Sequence, residues 1–512
     1  MTTAVAPARW AHLSALVTTA DERPTRTVAS PTDGTALGDV PVCAPDDVAL
    51  AARRARTAQP AWAALPLSRR VAVVRRFADL VLADETALVD VCQAESGKNR
   101  LSAFAEWADV VLTCAAYART APGHLRPRRR RGAFPLLTRT VEHHRPKGVV
   151  GVIAPWNYPL TMAVSDAVPA LLAGNAVVLK PDSATPLSAL ALTELLCRAG
   201  LPAELFGVVT GPGRELGPAL IDQVDYLMFT GSTATGRQVA ARCGERLIGC
   251  SAELGGKNPA LVLDDADLER TVEGLVDACF ANSGQLCVSI ERIYVTPGIA
   301  DAFVRQFSAR VAAMCVGPGP GWDVEMGSLI SRAQRDRVAA HVADAVARGA
   351  RVLAGGRPLP ALGPLFYAPT VLTDVPDDAE VARTETFGPV VSVYRVADVD
   401  EAVRRANDTE YGLNACVWSR RHGREVAERL HAGTVNVNEG YAAAFASHDA
   451  PMGGWGASGL GRRHGAEGIL KYTEAQTVAR QRLLPAAPSG VLAGARYPEL
   501  IRPALRVLRR LS

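Results

Sequence analysis

Two short segments pair a carboxylate with a thiol. Glu253-Leu254-Gly255-Gly256-Lys257 and Gly284-Gln285-Leu286-Cys287 set Glu253 and Cys287 34 positions apart, each in a glycine-bearing turn. A thiolate attacks carbonyl carbon, and a carboxylate can activate the water that releases the acyl group. The pairing suggests covalent acyl chemistry through sulfur. Each half alone is ambiguous, because a lone cysteine is more often a small buried hydrophobe. Such chemistry also needs an oxyanion donor, and Ala154-Pro155-Trp156-Asn157-Tyr158-Pro159 offers the Asn157 amide. A proline-locked turn with Asn157 capping backbone groups is the alternative.

A redox cofactor would need further segments. Lys180-Pro181-Asp182-Ser183 ends a strand where a nucleotide ribose is expected. Phe229-Thr230-Gly231-Ser232-Thr233-Ala234-Thr235-Gly236 ends a strand and opens a helix, and helix N-terminal amides suit phosphate. Arg237-Gln238 stand where a Walker loop needs Lys-Ser/Thr, and no GxGxxG fingerprint is present. Glu385-Thr386-Phe387-Gly388-Pro389 adds a carboxylate and an aromatic in a turn, and residues 451–462 form a glycine-rich closing loop.

These segments need elements to hold them. Residues 46–118 have apolar residues at three-four spacing and read as helices. From Gly148 the pattern changes to strands at 149–154, 176–180, 206–210 and 226–230. They alternate with helices at 162–173, 188–199, 215–222 and 235–243. That alternation predicts an α/β fold with a doubly wound parallel sheet and ligands at the strand ends. A second α/β stretch runs from about 260 to 445, and 512 residues exceed one hydrophobic core.

The bulk composition excludes several classes. The 56 basic and 52 acidic residues nearly balance, so nothing implies nucleic acid. The ten cysteines are scattered without a CxxC or a His cluster, so neither a metal site nor a disulfide framework is expected. Reduced thiols, no long apolar run at the N-terminus and no run of about 18 apolar residues predict a cytoplasmic chain without a membrane span. Only Lys98, Lys147, Lys180, Lys257 and Lys471 are lysines, the other basic residues being arginines. The survivors should mark sites where a compact ammonium matters. The arginine run at 126–131 reads as a hairpin or subunit contact.

Together, and in this order, the motifs resemble those of the aldehyde dehydrogenase superfamily over roughly residues 30–476. Within it the chain is similar to the NADP-dependent succinate-semialdehyde dehydrogenases of actinobacteria. The resemblance implies a dinucleotide-binding domain at 1–122 and 147–256 and a catalytic domain at 257–471. It also implies a small β oligomerisation element at 123–146 and 472–485, hence a homodimer or homotetramer, with a C-terminal extension at 486–512. It makes Cys287 the nucleophile, Asn157 an oxyanion donor and Glu253 the activator of water, with a thiohemiacetal and a thioester between aldehyde and acid. Lys180, Ser183, Trp156, Gly231, Ser232, Glu385 and Phe387 would bind the cofactor, NADP or NAD. NAD-preferring members commonly carry Glu where this chain has Ser183, and a hydroxyl does not repel a 2′-phosphate.

Other positions depart from the pattern. The two arginines that grip a distal carboxylate in succinate-semialdehyde enzymes are replaced by Ser165 and Ala281. Ser289 stands where many of those enzymes have a second cysteine, and Gly456 where many relatives have Lys. Arg292 is a candidate substitute for the anion clamp. Tyr158, Ser165, Ala281, Leu286, Val288 and Met452 are expected to shape the small-molecule aldehyde's pocket, so a neutral aliphatic or aromatic aldehyde competes with succinate semialdehyde. A CoA-acylating enzyme, which Glu253 disfavours, and an inactive scaffold are the remaining readings. Residues 497–512 interleave leucines with arginines and read as a basic amphipathic helix for a membrane surface or a neighbouring subunit.

Overall fold

A computed structural model describes residues 12–132, 138–482, 487–490 and 493–511. Helices Pro45–Ala64, Leu67–Ala83, Glu85–Ser96 and Arg100–Leu125 come first, after a β-hairpin of Thr25–Ala29 and Ala36–Pro41. The fourth helix runs past Gly123, so the first residues of the expected oligomerisation element are helical.

Strands Val149–Ile153, Ala176–Lys180, Phe206–Val208, Tyr226–Thr230 and Gly249–Glu253 then form a parallel sheet. Gly459–Leu460 closes it, antiparallel to Gly249–Glu253. Its inner strands are apolar on both faces, as a sheet covered by helices on each side requires. The sequence predicts one helix over 162–173, whereas the chain forms two, Pro159–Val164 and Ala167–Leu172. Pro169 lacks an N–H and its ring crowds the carbonyl four residues back, so the helix breaks at Ser165-Asp166.

A second sheet of seven strands holds Asn258–Val262, Ile290–Val295 and Asn414–Trp418 near its centre. All its pairings are parallel except that of the edge strand Arg351–Ala354. Alternate residues serve opposite faces. Ala260, Val262, Ile293 and Val295 pack into one core, and Leu261 and Tyr294 into the other.

A third, antiparallel sheet joins Arg128–Arg130, Thr138–Pro146 and Thr473–Gln481. Residues 133–137 and 483–486, which fall within the expected oligomerisation element or at its end, lie outside the described residues. Thr473–Gln481 is a sheet edge with residues 474–480 exposed, an arrangement a partner strand or subunit can cover. Arg496–Leu511 is helical, with Leu500 and Leu505 exposed beside Arg502 and Arg506. Among the described residues no helix is long and apolar enough to cross a membrane.

Candidate active site

The thiol sits on a strained turn. After helix Leu268–Phe280, Asn282, Ser283 and Gly284 are all left-handed, with φ of 51°, 59° and 68°. A non-glycine residue there costs roughly 1 kcal/mol or more, so the surroundings must hold the turn. They do so through hydrogen bonds. The Asn282 backbone N–H donates to Ser102 Oγ at 3.1 Å, Ser283 Oγ donates to the Gly327 carbonyl at 3.1 Å, and the Ile330 N–H donates to Gln285 Oε1 at 3.0 Å. Position 284 must be glycine, because a Cβ there would lie 2.2 Å from the Gly388 carbonyl oxygen.

This turn is tied directly to the Asn157 segment. Asn157 Nδ2 donates to the Gln285 carbonyl at 3.0 Å, and Asn282 Nδ2 donates to the Asn157 carbonyl at 2.9 Å. Behind it, the buried Lys98 ammonium donates to the Asn157 carbonyl at 2.6 Å and pairs with Glu106. Glu106 also accepts the Leu160 and Thr161 N–H groups at 2.9 and 3.3 Å.

Glu253 ends strand Gly249–Glu253, and its carboxylate is buried, with no hydrogen-bond partner for Oε1. Burial raises its pKa to about 7, against the pull of Arg463 and Lys471. A carboxylate poised there can both take and release a proton near neutrality. Burial likewise pushes the Cys287 thiol up to about 12, with the Arg463 charge acting in the opposite direction.

One cleft gathers these groups. It is lined by Cys287, Glu253 and Asn157, by Trp156, Gly231, Ser232, Glu385 and Phe387, and by Tyr158, Leu286 and Met452. At one end Ser232 caps helix Thr233–Glu245, its hydroxyl accepting the Thr235 N–H. The N-terminus of that helix, next to a glycine, suits a phosphate. Glu385 Oε1 accepts the Gly256 N–H at 2.9 Å, and burial together with Glu291 raises Glu385 to about 8. Phe387 meets Trp156 edge-on at 5.5 Å. Glu291 pairs with the buried Lys257 and accepts the Thr386 and Phe387 N–H groups, and Gln334 Nε2 donates to the carbonyls of the same two residues, so both hold the Glu385 turn.

Five predicted residues lie off this cleft. Lys180 and Ser183 occupy the end of the neighbouring strand and the turn after it. The Lys180 ammonium donates to the Pro181 carbonyl at 2.7 Å and Ser183 Oγ to the Gly211 carbonyl at 2.8 Å. Ala281 lines a second cavity, which shares Tyr158 with the cleft and also contains Asp277, Tyr441 and Trp322. Ser165 and Val288 line neither cavity. Ser165 ends the short helix Pro159–Val164, and Val288 is buried, its carbonyl accepting from Asn414 Nδ2 at 2.9 Å.

Arg292 does not replace the anion clamp. Its guanidinium is buried and donates to the carbonyls of Lys257, Arg405 and Ala406. Among the described residues no group of three or more His, Cys, Asp or Glu side chains could hold a metal ion.

Sequence reasoning missed Glu106, Glu291, Asp166 and Arg463. The scarcity of lysine was the available signal for their neighbourhoods, since Lys98, Lys257 and Lys471 pair with Glu106, Glu291 and Asp166 respectively. Arg463, one arginine among many, carried no such mark, yet it lines the cleft beside Glu253 and Cys287.

The family model for the aldehyde dehydrogenase family matches residues 17–478. The chain belongs to the aldehyde dehydrogenase family. Like other aldehyde dehydrogenases it carries out nicotinamide-dependent oxidation of an aldehyde. It is 53% identical over 493 residues to a Mycobacterium ulcerans protein provisionally named succinate-semialdehyde dehydrogenase (NADP+), covering 96% of this chain and 95% of that one. A glutarate-semialdehyde dehydrogenase of Pseudomonas aeruginosa is 40% identical, with 89% and 94% covered. Among solved structures, an E. coli NADP-dependent enzyme superposes with a TM-score of 0.86 at 37% identity, covering 90% of this chain and 95% of that one.

Proposed function

We propose that this aldehyde dehydrogenase uses Cys287 as nucleophile, Asn157 as oxyanion donor and Glu253 as base, and that it prefers NADP. The observation that carries this reading is the convergence of the three side chains on one cleft from three separate elements. Cys287 sulfur adds to the aldehyde carbon, and the Asn157 amide, with one N–H already given to Gln285, turns the other to the oxyanion. The nicotinamide, when bound, supplies the hydride acceptor, leaving Cys287 as a thioester. Glu253 takes a proton from water as the water oxygen adds to the thioester carbon, and the C–S bond then breaks to release the acid and the Cys287 thiolate. Glu253 in this cleft favours water over CoA as acyl acceptor.

The residues around a dinucleotide fit NADP. Gly231 and the Ser232-capped helix can receive the pyrophosphate, and Glu385 and Phe387 the nicotinamide half. At the ribose end Ser183 is neutral and small, and Asp182 is turned to the Ala184 N–H at 2.8 Å. A Cβ on Gly213, which opens helix Gly213–Gln223, would lie 3.7 Å from Lys180 Cε, so this helix N-terminus adjoins the Lys180 cation. Ser183→Glu is expected to lower kcat/KM for NADP by about ten- to a hundredfold and to leave NAD use intact or improved. Loss of both cofactors in parallel would overturn the assignment.

Succinate semialdehyde is the substrate suggested by the named relatives. A second reading, a neutral aldehyde, is favoured by Tyr158, Met162, Leu286, Phe445 and Met452 in the cleft wall and by the engagement of Arg292 elsewhere. A kcat/KM panel of succinate semialdehyde against aliphatic and aromatic aldehydes tests both. The cleft wall predicts that a neutral aldehyde of similar length is used at least as well. A preference of about a hundredfold for succinate semialdehyde would sink the second reading.

The exposed edge Thr473–Gln481 supports a homodimer or homotetramer built on the third sheet, which sedimentation equilibrium would test. The arginines and exposed leucines of Arg496–Leu511 support contact with an anionic membrane surface. Co-sedimentation with anionic vesicles, lost on removal of residues 490–512, is the expected result. Equal pelleting without them would overturn it.

A further inference from the structure

The closing segment brings a buried charge cluster to the base that the reaction scheme above leaves unused. The helix break at Ser165-Asp166 points Asp166 inward, and Arg463 follows the glycine-rich loop. Arg463 Nε and a terminal nitrogen reach Asp166 Oδ2 at 2.9 and 2.8 Å, and the terminal nitrogen also donates to Thr230 Oγ1. Asp166 Oδ1 accepts from Lys471 Nζ at 3.2 Å and from the Tyr472 hydroxyl at 3.1 Å. Thr230 is the parallel strand partner of Glu253, so this clamp ends beside the carboxylate.

The charges do not cancel without Glu253. Arg463 and Lys471 contribute two positive charges and Asp166 one negative, all with buried side chains. An ionised Glu253 brings the sum to zero, whereas a protonated Glu253 leaves a buried cation uncompensated. Desolvation pulls Glu253 toward its protonated form, and Arg463 exerts the largest opposing pull, helped by Lys471 and Arg462 and resisted by Asp166. Cys287 shares the cleft. Tyr117, Tyr226 and His464 also sense the cluster, and burial drives His464 down to about 3, so it adds no charge near neutrality. Arginine keeps its proton in proteins, so Arg463 acts as a fixed charge and not as a relay.

We propose that Arg463, locked in place by Asp166 and Thr230, is the fixed countercharge of Glu253, a positioning residue that keeps this carboxylate ionised and able to accept a proton from water. The inference rests on Glu253 being the base.

The test uses the full chain with NADP and a turned-over aldehyde, following the burst and the steady state of cofactor reduction across pH. Arg463→Met is expected to move the acidic limb of the steady-state rate upward by roughly one to three pH units, while the burst keeps its amplitude but slows, because Arg463 also opposes the upward shift of the Cys287 thiol. Arg463→Lys should restore the limb. Asp166→Asn removes a negative charge and should move the limb downward. These opposite directions separate a countercharge from a brace. A limb unmoved in Arg463→Met, with burst and steady state lost in parallel, would overturn the proposal. If Arg463→Met does not fold, a limb that stays or rises in Asp166→Asn would do so. Glu253→Gln separates the two levels. If it keeps parental turnover, the base assignment itself fails. If it blocks the steady state while Arg463→Met leaves the limb in place, only the countercharge fails.

Discussion

Cys287→Ala is expected to abolish aldehyde-dependent cofactor reduction, with kcat/KM falling by roughly 10,000-fold or more. No neighbouring side chain supplies a substitute, because Cys287 is the cysteine that lines the cleft. The fold should survive, since removing one sulfur from a half-buried side chain costs about 1 kcal/mol or less. Steady-state kinetics at saturating NADP, with a melting curve for the variant, check both halves. Residual activity within tenfold of the parent would remove Cys287 from the mechanism. Iodoacetamide labelling adds a pH signature. With burial holding the thiol at about 12, alkylation of the free enzyme should climb steadily through neutral and mildly alkaline pH.

Glu253→Gln should split the reaction in two. Attack, oxyanion formation and oxidation do not need the carboxylate, so one equivalent of cofactor per site is reduced in a burst. Hydrolysis then slows by about a hundred- to ten-thousandfold, and the acyl-enzyme accumulates. Stopped-flow absorbance shows the burst, and intact mass shows the acyl adduct on Cys287. In the parent the sign follows from the pKa of about 7. Hydrolysis should strengthen as pH rises through that value and Glu253 ionises, and weaken below it. A variant that loses the burst together with turnover would place Glu253 before, not after, the oxidation.

Four strands of the first sheet were legible because they are nearly continuous apolar runs separated by helical periods, a pattern that parallel strands buried on both faces impose, whereas Gly249–Glu253 and Gly459–Leu460 lack such a run and were not. Cys287, Glu253 and Asn157, which line one cleft, stood out as candidates because reactive side chains in glycine- or proline-bearing turns at strand ends are unusual locally. The bend at Ser165-Asp166 was readable in principle from Pro169, but its use was not. The pocket roles of Ser165 and Val288 failed because adjacency to a motif does not fix side-chain direction. Val288 follows Cys287 directly and still points into the core.

The sequence by itself determined the alternation of strands and helices, the thiol, carboxylate and amide, and the neutral Ser183 three positions after Lys180. Each is a local property, set by residue type and by the period of burial along the chain. Only the tertiary structure decided that Asp166 and Arg463, 297 positions apart, meet beside Glu253, while Arg292 is consumed by backbone carbonyls. An arginine has the same charge wherever it stands. Whether it balances a base or braces a loop depends on which buried partners the fold brings within hydrogen-bond reach, and spacing along one chain does not encode that distance.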